Sequence, residues 1–552
     1  MMRTILIAAA ALLIGLGAAA WLFRKDLILF TVTNVGRLDV AATQDIAWAQ
    51  GPAEAAAPPE ARAPNIVFIL ADDLGFNDIT TFGGGVAGGR VPTPNIDRLA
   101  ARGAAFTQAY SGSATCAPSR AMLLTGRYPT RTGFEFTPTP AGMGRMVSMF
   151  ADPERSGLPP GVLNTARDRD APPFDAQGLP GSEVTIAEVL RARGYHTIHI
   201  GKWHLGGGPE FGPRAQGFDE SLNMTSALYL PDGDPRGVAA KLDFDPIDRF
   251  LWARMQFANS FNDGPPFAPR GYLTDYWTDE AVRAIEANRN RPFFLYLAHW
   301  GVHSPLQATR EDYEAVGDIE PHRLRVYAAM VRALDRSVGR ILDALEAQGL
   351  AQNTLVVFSS DNGGAGYIGL SDINAPLRGW KATLFEGGIR VPMFISWPAQ
   401  IPAGARIAAP AAHIDLMPTF ASAAGAAPPT DRPIDGADLL PLAAGRTQAA
   451  PHDALFWRSA HYRAVRQGDW KLQTSDNPRR VWLFDLANDP GERNNLAARH
   501  PERVAALQAL IAAHEAGARP PLYPHTVEMP VNVDRDLAQR TQAGDEIVFW
   551  PN

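Results

Sequence analysis

The chain has 552 residues, 46% hydrophobic and 20% charged, with a formal net charge of −7. That length favours more than one folding unit, the composition is that of a globular protein, and the acidic balance excludes a generally basic surface for nucleic acid. A single cysteine, Cys116, excludes any disulfide within the chain, and attraction of an anionic ligand has to come from local cations or a metal.

From the N-terminus, Arg3 precedes an uncharged stretch, Ile5 to Phe23, that ends at Arg24 and Lys25. Its length suits a signal peptide or one membrane-spanning helix. Ala18-Ala19-Ala20 offers a small-residue cleavage site, but the span is long for a signal core and Leu27 to Val32 adds further apolar residues. Residues 1–40 therefore read as a signal peptide or an anchor, with an uncleaved anchor favoured, and the expected location is periplasmic or cell-surface. Residues 41–63 are rich in Ala and Pro and read as a tether.

The first folded signal is Asn65-Ile66-Val67-Phe68-Ile69-Leu70-Ala71, a short, continuous apolar run suited to a strand buried on both faces. It ends in Asp72-Asp73, at the kind of sheet edge where α/β proteins bind ligands. Pro94 near its start and Gly103 after it mark a helix over 93–100, and residues 185–193 form another helix that leads into a strand at 197–200. Residues 292–298 read as a second buried strand, 323–345 as a helix stopped by Gly349, and 355–359 as a third strand ending at Asp361-Asn362. This alternation predicts an α/β domain over 64–430. From 431 to 552 the pattern changes to short strands at 455–457, 464–466, 470–472 and 482–484, then a helix from Pro501 to about Ala516. These form a smaller antiparallel domain; the last thirty or so residues lack periodicity and are expected to wrap over the surface.

The chemistry-bearing residues begin with Cys116-Ala117-Pro118-Ser119-Arg120, followed by Thr125-Gly126-Arg127. Pro118 suits a first helical turn, so Cys116 stands at a helix N-terminus, where the dipole favours negative charge. Arg120 lies four residues on, on the same face. Asp72, Asp73, Asp361 and Asn362 are hard oxygen donors at two strand ends; they suit Ca²⁺, permit Mg²⁺ or Mn²⁺, and argue against zinc. Lys202 directly follows a buried strand, Lys381 lies in a Gly-rich region, and His204 and His303 are candidate acid–base groups, with His299 an alternative to His303.

The Cys-x-Pro-Ser-Arg segment with its Thr-Gly-Arg resembles the signature of type I sulfatases. So do, in the same order, Ala71-Asp72-Asp73-Leu74-Gly75, Gly201-Lys202-Trp203-His204, Val302-His303-Ser304-Pro305, Ser360-Asp361-Asn362-Gly363-Gly364 and Lys381 to Gly388. The resemblance implies an alkaline phosphatase-like α/β fold with a large mixed sheet. It also implies that a maturation enzyme converts Cys116 to formylglycine. Calcium would lie among Asp72, Asp73, Asp361, Asn362 and position 116, with Arg120 holding the formylglycine and Lys202 and Lys381 gripping sulfate oxygens.

In the mechanism so implied, a hydroxyl of hydrated formylglycine, deprotonated by Asp361, attacks sulfur. His303, assisted by Lys381, protonates the leaving alcohol, and His204 takes the proton that releases sulfate. Segments such as Leu297 to Leu306, Ala375 to Lys381, Arg466 to Leu472 and Trp482 to Asp485 look closest to N-acetylgalactosamine 4-sulfatases, which favours a sulfated sugar over another small sulfate ester. Residues 134–180 and 207–276 are expected as pocket walls, with Trp300 and Trp380 able either to stack on substrate or to pack. The rival readings are a formylglycine-dependent phosphonate or phosphodiester hydrolase and a non-catalytic glycan-binding scaffold.

Overall fold

The computed structural model describes residues 2–552. Ten strands form the main sheet: β1 (Asn65–Ala71), β2 (Ala104–Tyr110), β3 (His196–Gly201), β4 (Glu220–Ala227), β5 (Phe257–Phe261), β6 (Phe293–Ala298), β7 (Thr354–Ser360), β8 (Arg390–Ser396), β9 (Ala405–Ile407) and β10 (Ala411–Ala412). Their spatial order is β9-β2-β8-β7-β1-β6-β3-β4-β5, with β10 also beside β2. β1 pairs in parallel with both β7 and β6, and β3 in parallel with β6 and β4. β8 runs antiparallel between β7 and β2, and β5 antiparallel to β4. The sheet is mixed, as expected.

β1 is buried at every position because each face meets its own apolar layer. Val67 and Ile69 point into one core, Ile66, Phe68 and Leu70 into the other. Register then does the positioning. Ala71 lies beside Ser360, Leu70 beside Ala298, and Gly201 beside Ala298. The C-terminal ends of β1, β3, β6 and β7 therefore finish together, β2 ends at the same edge, and β8 begins there. The catalytic candidates lie in the segments that leave or approach this edge.

The helices that matter for the site and its approach are α1 (Met2–Leu22), α2 (Arg24–Asn34), α3 (Cys116–Thr125), α4 (Met143–Phe150), α5 (Pro246–Arg254), α6 (Leu273–Asn288) and α7 (His322–Ala347). The 26-residue α7 buries an apolar stripe that includes Val326, Met330, Leu334 and Ile341 against the sheet and α6. Further along, β11 (Leu455–Ser459), β12 (Tyr462–Gln467), β13 (Trp470–Asp476) and β14 (Arg479–Asp485) form a four-stranded antiparallel sheet covered by α8 (Pro501–Glu515).

Two expectations are corrected. The first half of the Ala/Pro-rich segment is not a free tether. Ile46 and Trp48 are buried in the main core, Trp48 Nε1 donates to Glu280 Oε2 at 2.9 Å, and Gly51 N–H donates to Ala287 O at 2.8 Å. Two large apolar residues outweigh an alanine-rich background once α6 offers them a face. The C-terminal tail, expected to wrap over the surface without periodicity, forms strands. Residues Val527–Asn532 (β15) and Ile547–Pro551 (β16) pair with one another, and β15 also pairs with Val162–Leu163, burying Val548 and Trp550.

The loop after β1 is clamped from below. The buried Asp78 accepts hydrogen bonds from Gly75 N–H, at 2.7 Å, and from the Tyr327 hydroxyl of α7, through the same carboxylate oxygen. Burial pushes its pKa from 3.8 to about 8, against the pull of both hydrogen bonds. Between those values the folded state holds a proton that the unfolded state has lost, so this group makes stability fall as pH rises from about 4 to 8. Asp78→Asn keeps an oxygen for both donors and removes the titration. Urea denaturation is expected to show the variant gaining on the parent towards pH 8, by up to about 1.4 kcal/mol per pH unit.

Candidate active site

α3 begins at Cys116 itself, after an extended Thr115, and stops at Gly126, which takes left-handed backbone (φ 68°). The cysteine is buried, with Sγ 3.6 Å from Asp72 Oδ1 and 3.8 Å from Asp73 Oδ1. One turn on, the fully buried Arg120 guanidinium ties the strand ends together. Its Nε and Nη2 reach Asp361 Oδ2 at 2.9 and 2.8 Å, Nη2 reaches Asp72 Oδ2 at 3.1 Å, and Nη1 donates to the Lys202 carbonyl at 2.9 Å.

The lysines complete the cluster. Lys202 Nζ lies 2.6 Å from Asp72 Oδ2 and 4.6 Å from the Trp300 ring centroid. Lys381 Nζ lies 2.8 and 2.9 Å from the two oxygens of Asp73. Gly201 sets the first of these up: its φ is 112°, and a Cβ there would stand 1.9 Å from the Ala298 carbonyl. Asp73, His204 and Ala382 also take left-handed backbone, at φ 57°, 65° and 65°. Such strain at non-glycine residues, concentrated around one cluster, marks a functional site.

Three carboxylates (Asp72, Asp73, Asp361) face three cations (Arg120, Lys202, Lys381), so the fixed charges cancel. Burial and then Asp361 push the Asp72 pKa up to about 6, against Lys202 and Arg120. Burial acts the same way on Asp73, but the charges of Lys381 and Lys202 outweigh it and hold that carboxyl well below its usual range. Lys381 stays charged because Asp73 overcomes its burial. Burial, then Asp361, pushes the Cys116 thiol far up, so it is held as a protonated thiol rather than a thiolate nucleophile.

Both candidate histidines are held neutral. Burial and then Lys202 drive His204 well below its ordinary pKa, and its Nδ1 is buried without a hydrogen-bond partner. Burial does the same to His303 against the pull of Asp73. His303 Nδ1 stands 2.6 Å from the Ser304 carbonyl, which makes Nδ1 the protonated nitrogen and leaves Nε2 facing Asp73 Oδ2 at 3.5 Å. His299 is elsewhere, in the core on Ser337 Oγ at 2.9 Å, where burial lowers its pKa to about 3.

The donor set suits a divalent cation. Asp72, Asp73, Cys116 and His303 each offer a ligand atom within 4.8 Å of the others. Asp361 and Asn362 adjoin them: Asp73 N–H donates to Asp361 Oδ1 at 3.3 Å, and Asn362 Nδ2 donates to Asp73 Oδ1 at 2.7 Å. Asn362 Oδ1 is buried and meets no donor. An orphaned buried oxygen among carboxylates is what a hard cation satisfies, so the residues fit one.

Two aromatic residues resolve differently. Trp300 stacks on His303, with centroids 4.0 Å apart, and supports the site rather than lining it. Trp380 lines the cavity above. Tyr367 was missed by sequence reasoning: its hydroxyl donates to Asp73 Oδ2 at 2.9 Å and lies 3.3 Å from Lys381 Nζ and 3.4 Å from His303 Nε2. Its only sequence signal is its place five residues after Asn362. The cavity of about 400 Å³ that opens from Lys381, His303 and Tyr367 is walled by parts of the expected segments, 147–161 and 244–251, and also by residues 529–541 and Trp550 of the tail.

Residues 64–426 match the family model described as sulfatase, and 379–514 match the C-terminal model of N-sulphoglucosamine sulphohydrolase. The chain belongs to the sulfatase family. It is 33% identical to the steryl-sulfatase of Mus musculus, with 83% of each chain aligned, and 32% identical to the N-acetylgalactosamine-6-sulfatase of Homo sapiens, over 83% of this chain and 86% of the relative. The crystal structure of Ps i-CgsB superposes with a TM-score of 0.69 at 31% identity, covering 84% of this chain and 95% of that one. The protein is a sulfuric ester hydrolase.

Cation binding to this sulfatase is testable without turnover. Ca²⁺ at about a hundred times its dissociation constant is expected to stabilise chelator-stripped protein by about 2.7 kcal/mol. The Asp73→Asn variant is expected to lose that stabilisation, read as the shift in thermal midpoint.

Proposed function

We propose that this sulfatase works with a formylglycine made from Cys116 and a Ca²⁺ held by Asp72, Asp73, Asp361, Asn362 and position 116, in an exported protein that α1 anchors to a membrane. The observation that carries the reading is the juxtaposition of a buried, protonated cysteine at a helix N-terminus with two carboxylates under 4 Å away and two paired lysines beside it. The catalytic unit is residues 64–430, with 431–552 as the C-terminal subdomain.

When present, hydrated formylglycine supplies an oxygen nucleophile, and the cation lowers its pKa and offsets sulfate charge. The chain's own residues do the rest. Because the fixed charges of the site cancel, a divalent cation and a sulfate dianion together leave it neutral, which favours the charge distribution of the product. Lys202 and Lys381 exchange their carboxylate partners for sulfate oxygens. Arg120 cannot move, being held at four contacts, and it fixes Asp361 and Asp72 where they are needed. Asp361 accepts the proton of the nucleophile.

His303 is assigned as the acid that protonates the leaving alcohol. Lys381, with its pKa raised, holds its proton too tightly to serve as readily. To act as that acid His303 has to take up a proton at Nε2, which faces the site; the negative charge of a bound sulfate ester favours that uptake and the cation opposes it. His204, neutral and with a free Nδ1, takes the proton that accompanies sulfate release.

Two measurements test this reading. In active protein the peptide containing Cys116 is expected to carry an aldehyde that a hydrazide probe traps, and a thiol throughout an active preparation overturns the formylglycine assignment. For His303→Asn, kcat on an alkyl or sugar sulfate is expected to fall about 10²–10⁴-fold. A 4-nitrophenyl ester, whose leaving group needs no proton, is expected to be far less affected, and an equal loss on both would remove His303 as the acid.

A further inference from the structure

The cavity above the site has walls that a sugar would not select. Its lining is mostly carbon: Val147 from α4, Ile247 and Leu251 from α5, and Met529, Val531 and Leu537 from the tail. Several of the polar side chains on these walls already have protein partners. Arg155 pairs with Asp243, Arg535 with Asp545, and Asp536 accepts from Ser371. Ser148 Oγ, Asp245 Oδ2, Trp380 Nε1 and Trp550 Nε1 are buried without a partner, a sparse set of polar atoms for the many hydroxyls of a glycan on walls that are otherwise carbon. The volume of about 400 Å³ is within the range of about 300–1,000 Å³ for small-ligand pockets.

The same walls are joined to the N-terminal helices. α2 lies against α5, which in turn packs on α4. Lys25 Nζ stands 5.7 Å from the centroid of the Phe150 ring at the end of α4. Just past α2, Leu38 N–H donates to Gln256 Oε1 at 2.8 Å and Gln256 Nε2 donates back to Leu38 O at 3.1 Å, fixing the exit of α2 two residues after α5. α2 follows α1 with only Phe23 between them. Ile5–Leu22 of α1 is 18 residues long with mean hydropathy 2.4 and no burial, enough to cross most of a hydrocarbon core of about 30 Å. Phe23, Leu27 and Phe30 extend the run of exposed apolar residues beyond α1 into α2.

We propose that the enzyme acts on amphiphilic sulfate monoesters, those of an apolar alcohol, which enter the cavity from the membrane surface where α1 is anchored. This rests on the anchored-sulfatase reading above. It departs from the sugar expected on resemblance alone. The reaction is unchanged: water and R–O–SO₃⁻ give R–OH and hydrogen sulfate, with the S–O bond to the alcohol broken. The alcohol R lies along the carbon walls while its sulfate reaches Lys202 and Lys381, and α2 keeps the cavity beside the bilayer.

The test uses the full chain in vesicles and a chain lacking residues 2–22 but keeping α2. With butyl to octyl sulfates, kcat/KM of the full chain is expected to rise about tenfold or more, following the apolar surface buried. With hexadecyl sulfate carried in the vesicles, the shortened chain is expected to lose at least about tenfold relative to the full chain, while both turn over 4-nitrophenyl sulfate in solution equally. A flat chain-length series, a preference for a sulfated disaccharide, equal rates on the vesicle-borne ester, or removal of α1 from the mature protein overturns the proposal. Failure on every sulfate ester overturns the function itself. Should the shortened chain not fold, the chain-length series and the disaccharide comparison still decide.

Discussion

The site depends on one buried guanidinium. Arg120 has no exposure, and it joins the first turn of α3 to Asp361 after β7, to Asp72 after β1 and to the carbonyl of Lys202 after β3. Three strand ends and a helix start are thereby held at fixed distances from Cys116. A charge so deep is tolerable only with its partners in place, and losing one partner of such a pair costs about 3–5 kcal/mol. The geometry around Cys116 and the stability of the sheet edge are therefore coupled: neither can drift without exposing the other.

Around that guanidinium the protein concentrates unfavourable terms. Asp72 is pushed towards neutrality by burial, Asn362 keeps an oxygen without a donor, and Asp73, His204 and Ala382 adopt strained backbone. None of these serves the fold. A hard cation relieves the first two, which is the expected signature of a site shaped for charge it does not itself carry. The surplus that tolerates them comes from β1 and its neighbours, buried on both faces, and from the long stripe of α7.

Legibility in the sequence tracked the physics of each signal. β1, β3, β6 and β7 were readable as short apolar runs, and their ends were readable because Asp72-Asp73 and Asp361-Asn362 are too polar for the strands they terminate. The convergence of those ends was not readable, since it is set by register: Ala71 against Ser360 and Leu70 against Ala298. The tail failed for a related reason. β15 and β16 alternate weakly, and their third partner, Val162–Leu163, is a strand of two residues with no period to detect. Trp48 was hidden by its alanine-rich surroundings, and Tyr367 belongs to a loop whose meaning exists only once Lys381 and His303 are beside it.

The tail strands have a consequence for how the molecule is made. Cys116, both aspartate pairs and the lysines lie within the first 381 residues, yet the segment that carries Lys381 is held from the far end of the chain, Arg378 by Asp534 and Glu386 by Lys471. The cavity above the site is closed later still, because residues 529–541 and Trp550 form part of its wall. That wall is thus the last part of the site a newly made chain acquires. A copy clipped near its C-terminus would lose it together with the anchor of Arg378.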